Sequence, residues 1–162
     1  MKTYHMNKKE RQITDQAAMF AIVTRGKYAI ISLCRDNEPY LVTLNYGFDA
    51  EKKALYFHTA QEGLKMDFIK QNPRVCGTII EDRGYLMNQC SHSYRSAVFF
   101  GTLHVVPDMA EMKHGMEIML HHLEENPDKV REKFLQDDQV YQKRHLVILR
   151  LDIEEITGKQ GK

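Results

Sequence analysis

The sequence predicts a mainly β fold, an antiparallel barrel of six strands, closed or partly closed, with helices at its ends and edges. Three observations predict it. Three β-rich runs follow one another across short polar turns before any crossing helix can be placed, which is a meander and not a parallel crossover. Three more such runs follow with no strand–helix–strand alternation, the sign of an all-antiparallel architecture. The length, 162 residues, suits one domain able to bury a core without disulfides or a metal, so residues 1–162 read as a single unit.

In order along the chain, a charged arm, MKTYHMNKKERQ, leads to Thr14, which can cap a helix running through Val23 with Ala18, Met19, Ala21 and Ile22 on a mixed apolar face. Arg25-Gly26-Lys27 ends it. Tyr28 to Cys34 is rich in β-formers, Arg35 to Pro39 is a polar turn, and Tyr40 to Phe48 is a second strand, giving a hairpin. Asp49 to Lys53 turns the chain into a third strand, Ala54 to Thr59. A helix including Asp67, Phe68, Ile69 and Lys70 stops at Asn72-Pro73. Val75 to Glu81 and Val98 to Val106 are the fourth and fifth strands, the latter with Gly101 as a bulge or a close approach. The polar, aromatic stretch between them, Asp82 to Tyr94 and the residues just after it, follows no period and reads as a binding segment of loop and strand beginning. Pro107-Asp108 initiates a helix from Met109 to Glu125 with Met112, Met116, Met119, Leu120 and Leu123 at helical spacing. Asn126-Pro127-Asp128 restarts a shorter helix to about Leu135, and Leu146 to Ile153 is the last strand before a polar tail, ITGKQGK.

Charge excludes some partners. Lys plus Arg number 23 against 22 Asp plus Glu, so nothing global attracts nucleic acid or an anionic membrane, and any anion site must be local. Three widely spaced cysteines, Cys34, Cys76 and Cys90, fit reduced, buried and inert thiols better than a disulfide framework or a zinc cluster, with Cys90 reactive if exposed. With no apolar leader in the arm and no run of membrane-spanning length, a soluble cytoplasmic protein is expected.

The local anion site is expected in LYFHTAQEGLK, Leu55 to Lys65, where a strand turns through Glu62-Gly63 into a helix with a lysine in its first turn. Helix N-termini present unpaired N–H groups and a positive dipole end, so they favour phosphate and disfavour a cation. Thr59, the backbone at Gly63 and Lys65 can converge on one phosphate. The competing reading is a solvated lysine paired with Glu62 or Asp67. His58, beside Phe57, is either a core imidazole or a functional one. His114, His121 and His122 are too far apart for an i, i+4 metal pair and read as surface, so no metal site is expected. The methionines from Met109 to Met119 read as core or subunit contact before they read as a ligand pocket.

Six short motifs now arrive in order: RQITD (Arg11 to Asp15), EPYLVTLNYGF (Glu38 to Phe48), LYFHTAQEGLK, NPRVC (Asn72 to Cys76), YRS (Tyr94 to Ser96) and EITGK (Glu155 to Lys159). Together they resemble the flavin-binding split β-barrels related to pyridoxamine 5′-phosphate oxidase, and within them the nitroimidazole-reductase-like branch. The resemblance implies a homodimer with FMN, or its larger relative FAD, in a groove between subunits. It places the backbone of Val42, Thr43, Leu44 and Asn45 along the flavin ring, His58 and Thr59 at the ring and ribityl side, and Gly63 and Lys65 at the phosphate. Arg95 and Ser96 are further contacts, and His58 is the catalytic candidate, a donor of a hydrogen bond or proton near the flavin. The implied activity is an oxidoreductase passing electrons from bound flavin to a small aromatic or nitro acceptor. The alternatives are a flavin-binding sensor, store or carrier without turnover, and a barrel holding another phosphorylated ligand, or haem at His58 or His104. Authentic pyridoxamine phosphate oxidases carry a C-terminal tryptophan and paired arginines; this chain has no tryptophan, which argues against vitamin B6 oxidation.

Overall fold

The computed structural model describes residues 6–135 and 138–161; the first five residues of the charged arm and the last lysine of the tail lie outside that range. The elements are β1 (Gln12–Ile13), α1 (Gln16–Arg25), β2 (Tyr28–Arg35), β3 (Glu38–Asn45), β4 (Gly47–Asp49), β5 (Ala54–Ala60), α2 (Leu64–Gln71), β6 (Arg74–Leu86), β7 (Ser91–Val105), α3 (Met109–Leu123), α4 (Asp128–Leu135), α5 (Gln139–Lys143) and β8 (Leu146–Gln160). All strand pairs are antiparallel, in the order β3-β2-β6-β7-β8-β5-β4, with β1 added beside β8. Alternation puts Ala29, Ile31 and Leu33 of β2, Leu55 and Phe57 of β5, Ala97, Phe99 and Leu103 of β7, and Leu149 and Leu151 of β8 into one apolar interior. A second apolar cluster lies outside the barrel, where Tyr56 of β5 and Ile148 of β8 meet Met112, Met116, Met119 and Leu120 of α3. The methionine-rich helix is therefore core, as its spacing predicts.

The sheet has eight strands, and its two ends do not hydrogen-bond to each other. The stretch expected as one strand, Tyr40 to Phe48, crosses this opening. Its first part, β3, pairs with β2; its last part, β4, pairs with β5; and Tyr46 is the single residue between them. Tyr46 is fully buried, its hydroxyl donates to the Val23 carbonyl, and its ring lies 4.9 Å from that of His122. Desolvation raises the pKa of that phenol. The barrel is thus split at a seam filled by one aromatic side chain.

Other expectations change in detail. Asp15, not Thr14, caps α1, its carboxylate accepting from Ala17 N at 3.0 Å. The segment from Asp82 to Tyr94 is a hairpin: β6 and β7 stay paired to Leu86↔Ser91 across a register shift between Asp82 and Tyr85. Gly84 (φ 94°), Asn88 (φ 63°) and Cys90 (φ 45°) supply the left-handed backbone of its bend and turn. The tail is strand as far as Gln160, paired with β7 and β1. None of the cysteines is buried: Cys34 and Cys90 are exposed and Cys76 is partly so. His122 is not simply a surface residue, since its Nε2 donates to the Gly26 carbonyl at 2.5 Å while Lys27 Nζ donates to the carbonyl of His122, fastening α3 to the end of α1. No described helix is long and apolar enough to cross a membrane.

Candidate functional site

Lys65 is the second residue of α2, a helix whose Met66, Phe68 and Ile69 are buried against one end of the barrel, with the Phe68 ring 5.2 Å from Tyr40 and beneath the Arg35 guanidinium. Gly63 caps α2 with φ 121°, a conformation other residues rarely adopt, and a Cβ there would meet nothing within 4 Å. The first turn closes through Met66 N to Gly63 O at 2.8 Å, leaving the N–H groups of Leu64 and Lys65 without a described acceptor in the protein. Lys65 makes no ion pair among the described residues, with Glu62 and Asp67 or any other carboxylate, and burial lowers its pKa from the ordinary lysine value. An unpaired, partly desolvated ammonium at the positive end of a helix is unfavourable by itself and favourable beside an anion.

His58 and Thr59 leave β5 on opposite faces. Thr59 is buried, whereas His58 projects beside Tyr56 toward α3 and reaches solvent. Burial first, and the charge of Lys65 second, lower the pKa of His58 below the usual imidazole value. His58 also lines a solvent-open pocket of about 140 Å³ with Met116, Met119, Leu120 and Leu123 of α3, Phe134 of α4 and Glu124.

The helix α3 that forms this wall is held by polar contacts between residues distant in sequence. Tyr56 Oη donates to Glu111 at 3.0 Å, Arg150 Nη1 donates to the same carboxylate at 2.7 Å, and Arg150 Nε donates to Asp152 at 2.8 Å. The Arg150 bond leads the causes that lower the Glu111 pKa. Buried Asp49 accepts from Glu51 N and Lys52 N at 3.1 and 3.0 Å and pairs with His114 at 2.7 Å. Burial pushes the Asp49 pKa up, but those bonds outweigh it and the net shift is down.

The remaining expected site residues lie elsewhere. Val42 and Leu44 pack their side chains on the barrel interior while Thr43 and Asn45 point outward; β3 pairs with β2 alone, so its other edge is open among the described residues. Asn45 Nδ2 donates to the Lys27 carbonyl at 3.0 Å. Arg95 and Ser96 begin the barrel part of β7 at the α1 end. Arg95 donates to Ala18 O at 3.3 Å, lies 3.9 Å from Glu81 and leaves a buried Nε unpaired. Ser96 is opposite Lys159 of β8, and Thr59 is opposite Val147 of the same strand. At ~3.3 Å per residue, the twelve residues from Val147 to Lys159 give up to about 40 Å of strand path. His58, Gly63 and Lys65 follow one another at the end of β5 and the start of α2, whereas Arg95 and Ser96 pair with the opposite end of β8 from the partner of Thr59.

Reading the sequence missed Glu124 and Phe134 at the cavity and the Tyr56–Glu111–Arg150 contacts. The cavity had a partial signal, because Met116, Met119 and Leu123 recur on one helical side. The polar contacts had none, their partners lying 39 and 55 residues apart.

The fold defines the class: an antiparallel split barrel, with Lys65 at the N-terminus of α2 making no ion pair among the described residues. The chain belongs to the pyridoxamine 5′-phosphate oxidase family, whose sequence profile matches residues 15–160. Among solved structures it is similar to a protein described as a candidate 5-nitroimidazole antibiotic resistance protein of Bacteroides thetaiotaomicron, at 22% identity and TM-score 0.76 over 98% of this chain and 96% of that one. It is also similar to an FAD-binding protein of Mesorhizobium loti (20% identity, TM-score 0.67, 94% and 96% covered). A third is a flavocytochrome of Azotobacter vinelandii (15% identity, TM-score 0.79, 98% and 72% covered). No curated protein sequence matches the chain significantly.

Proposed function

We propose that this chain is a flavin-dependent oxidoreductase that binds FMN with its phosphate on Lys65 and reduces a small aromatic or nitro acceptor. The observation that carries the reading is the unpaired, partly buried Lys65 beside free helix N–H groups and an open glycine cap. One lysine at one helix terminus matches one phosphate, which favours FMN over FAD; the FAD-binding neighbour supports a flavin of either kind. The open edge of β3 at Val42–Asn45 offers alternating backbone donors and acceptors, which suits the ring edge of a flavin.

A flavin, when bound, supplies two-electron chemistry at its ring. The chain supplies the rest. Lys65 and the Leu64 and Lys65 N–H groups would hold the phosphate, the β3 edge would orient the ring, and Thr59 would contribute to the ribityl contacts. His58, whose surroundings and Lys65 disfavour its charged form, would offer a ring N–H as a hydrogen-bond donor to the acceptor. Arg95 and Ser96 would enter the site from a second copy of the chain, a reading supported by their pairing with the opposite end of β8 from the partner of Thr59. An apolar outer patch lined by Ile30, Leu41, Cys76, Thr78 and Val98, with Leu41 63% exposed, supports such a homodimer.

The test is an absorbance spectrum of the purified protein before and after incubation with FMN and desalting, the released cofactor identified by mass. Retained FMN together with oxidation of the reduced flavoprotein by nitroaromatics, well above the rate for free flavin, is the expected result. Retention without acceptor-dependent oxidation makes the protein a flavin carrier or sensor, and a colourless protein that never retains flavin overturns the reading. Sedimentation of the wild type and Leu41→Glu reports the dimer, which the glutamate is expected to dissociate.

A further inference from the structure

Glu81 is the meeting point of three arginines from three elements. Its register partner on β7 is Arg95, so the two share a face of the sheet; Arg83 lies two residues farther along β6, and Arg25 is the last residue of α1. Arg25 Nε donates to Glu81 Oε1 at 2.5 Å, Arg83 Nη2 donates to Oε2 at 3.4 Å, and Arg95 Nη1 stands 3.9 Å from the same Oε2. No other acid among the described residues pairs with any of the three. Neighbouring Asp82 is engaged by His92 at 2.6 Å and by the Gly84 N–H at 2.8 Å. The C-terminal end of α1 adds a partial negative charge beside Arg25 alone, which leaves a surplus of roughly one and a half positive charges over the cluster.

Solvent does not relieve Arg95. Its side chain is 18% exposed, its Nε is buried without a partner, and among the described residues its one hydrogen bond is to the Ala18 carbonyl at 3.3 Å, although a guanidinium has five N–H donors. A desolvated guanidinium with unused donors is costly alone and is stabilised by an anion. The side chains of Arg25 and Arg83 are 53% and 52% exposed, so the cluster is reachable from solvent.

We infer that Arg25, Arg83 and Arg95 form a second anion site, separate from Lys65, that takes the phosphate group of a phosphate monoester other than FMN. The charge selects it: such a group carries about −1.5 to −2 at neutral pH, which matches the surplus, whereas a carboxylate carries a single charge. The shape agrees, because a planar carboxylate pairs with one guanidinium fork, while the oxygens of a tetrahedral phosphate accept from forks that arrive from three elements. Glu81 holds the three heads together in the free protein and leaves donors over for the ligand. The site does not depend on the flavin reading, which assigns the flavin phosphate to Lys65.

The test titrates the purified protein with inorganic phosphate by calorimetry at constant ionic strength, with acetate as the singly charged comparison, and measures FMN retention on the same samples. Lys65→Met, which removes the other anion site, is expected to bind one phosphate at least tenfold tighter than acetate. In that background Arg25→Gln and Arg83→Gln should each weaken phosphate at least fivefold. Glu81→Gln, which removes the competing carboxylate, should tighten it at least threefold, a gain that misfolding cannot mimic. FMN-loaded wild type should bind the same phosphate undiminished. No phosphate binding in Lys65→Met, binding that both arginine changes leave unaltered, or no gain from Glu81→Gln overturns the site, and displacement of the phosphate by FMN overturns its separateness from the flavin. Phosphate binding as expected in a protein that retains no FMN sinks the flavin reading alone.

Discussion

Replacing Lys65 separates its cost to the free protein from its value to the ligand, because the two have opposite signs. In the free protein the ammonium sits in the first turn of α2, partly desolvated and without an ion pair among the described residues. A charge of the wrong sign at a helix terminus is worth about 0.3–1 kcal/mol, so Lys65→Met, which keeps the packing stem, should raise the stability of the flavin-free protein by roughly that amount. With FMN bound, the same side chain makes a charge-assisted hydrogen bond of about 1.5–3 kcal/mol. Lys65→Met and Lys65→Ala should therefore weaken FMN binding roughly 10- to 150-fold. Riboflavin, which has no phosphate, should bind wild type and variants alike. The assay is quenching of flavin fluorescence on titration, repeated at high salt, alongside urea unfolding of the flavin-free proteins. Unchanged FMN affinity, or an equal loss for riboflavin, refutes the phosphate assignment. A destabilised Lys65→Met refutes the claim that the lysine is there for a ligand.

The same charge acts on His58, whose folded-state pKa lies below the ordinary 6.5. The unfolded chain then binds more protons than the native one just below that value, so this residue's contribution to stability falls as pH drops through 6.5 toward the folded pKa. Proton NMR titration should find the His58 pKa raised in Lys65→Ala, and His58→Gln should flatten the urea midpoint between about pH 5 and 8; an unmoved pKa would separate the two residues. Asp49→Ala should cost about 2 kcal/mol, or roughly 4–8 °C in melting temperature, by freeing two turn N–H groups and His114. Because the native Asp49 pKa is depressed, its contribution is present above the unfolded value and lost as pH falls through the folded one, so the variant should show a shallower acid limb in denaturant melts. A Cβ on Gly47 would stand 2.5 Å from Met119 N and 2.7 Å from the Ile118 carbonyl carbon. Gly47→Ala should therefore push α3 off β4 at about 1–3 kcal/mol, seen in urea midpoints, and a neutral result would show that α3 is loosely seated.

What the sequence makes legible follows the distribution of apolar side chains. The strands whose inner positions carry Ile, Leu, Val and Phe are placed nearly to the residue, because one face is buried and alternation is enforced. The two stretches that escape are those where that signal is missing. The β6–β7 hairpin beyond Asp82 is open to solvent on both faces, so polar residues alternate with nothing. The end of β8 turns inward at Gly158, where a side chain would strike Met19 and Ile13, and a glycine contributes no hydrophobic mark. The break at Tyr46 is hidden for the opposite reason: Tyr40 to Phe48 is uniformly good strand sequence, and only pairing with different neighbours divides it. Of the site, Lys65 and His58 were visible because each is locally out of place, a cation at a positive helix end and an imidazole beside a core phenylalanine. The cavity beyond His58 was not, since it exists only once α3 and α4 are docked.

The seam explains why that docking and the candidate site fall at the same place. A sheet whose ends were joined by hydrogen bonds would leave α3 an uninterrupted outer face to lie on, and the chain could not step from β3 to β4 within one residue. With the ends unjoined, Tyr46 fills the gap, His122 packs its ring on Tyr46, and α3 comes down close enough on β4 that only glycine fits at position 47. The contacts at Asp49 and Glu111 then hold the first half of α3, while its second half passes over His58 without closing on it. The opening leaves one backbone edge of β3 unpaired among the described residues, and the helix that covers the seam forms the pocket that His58 lines.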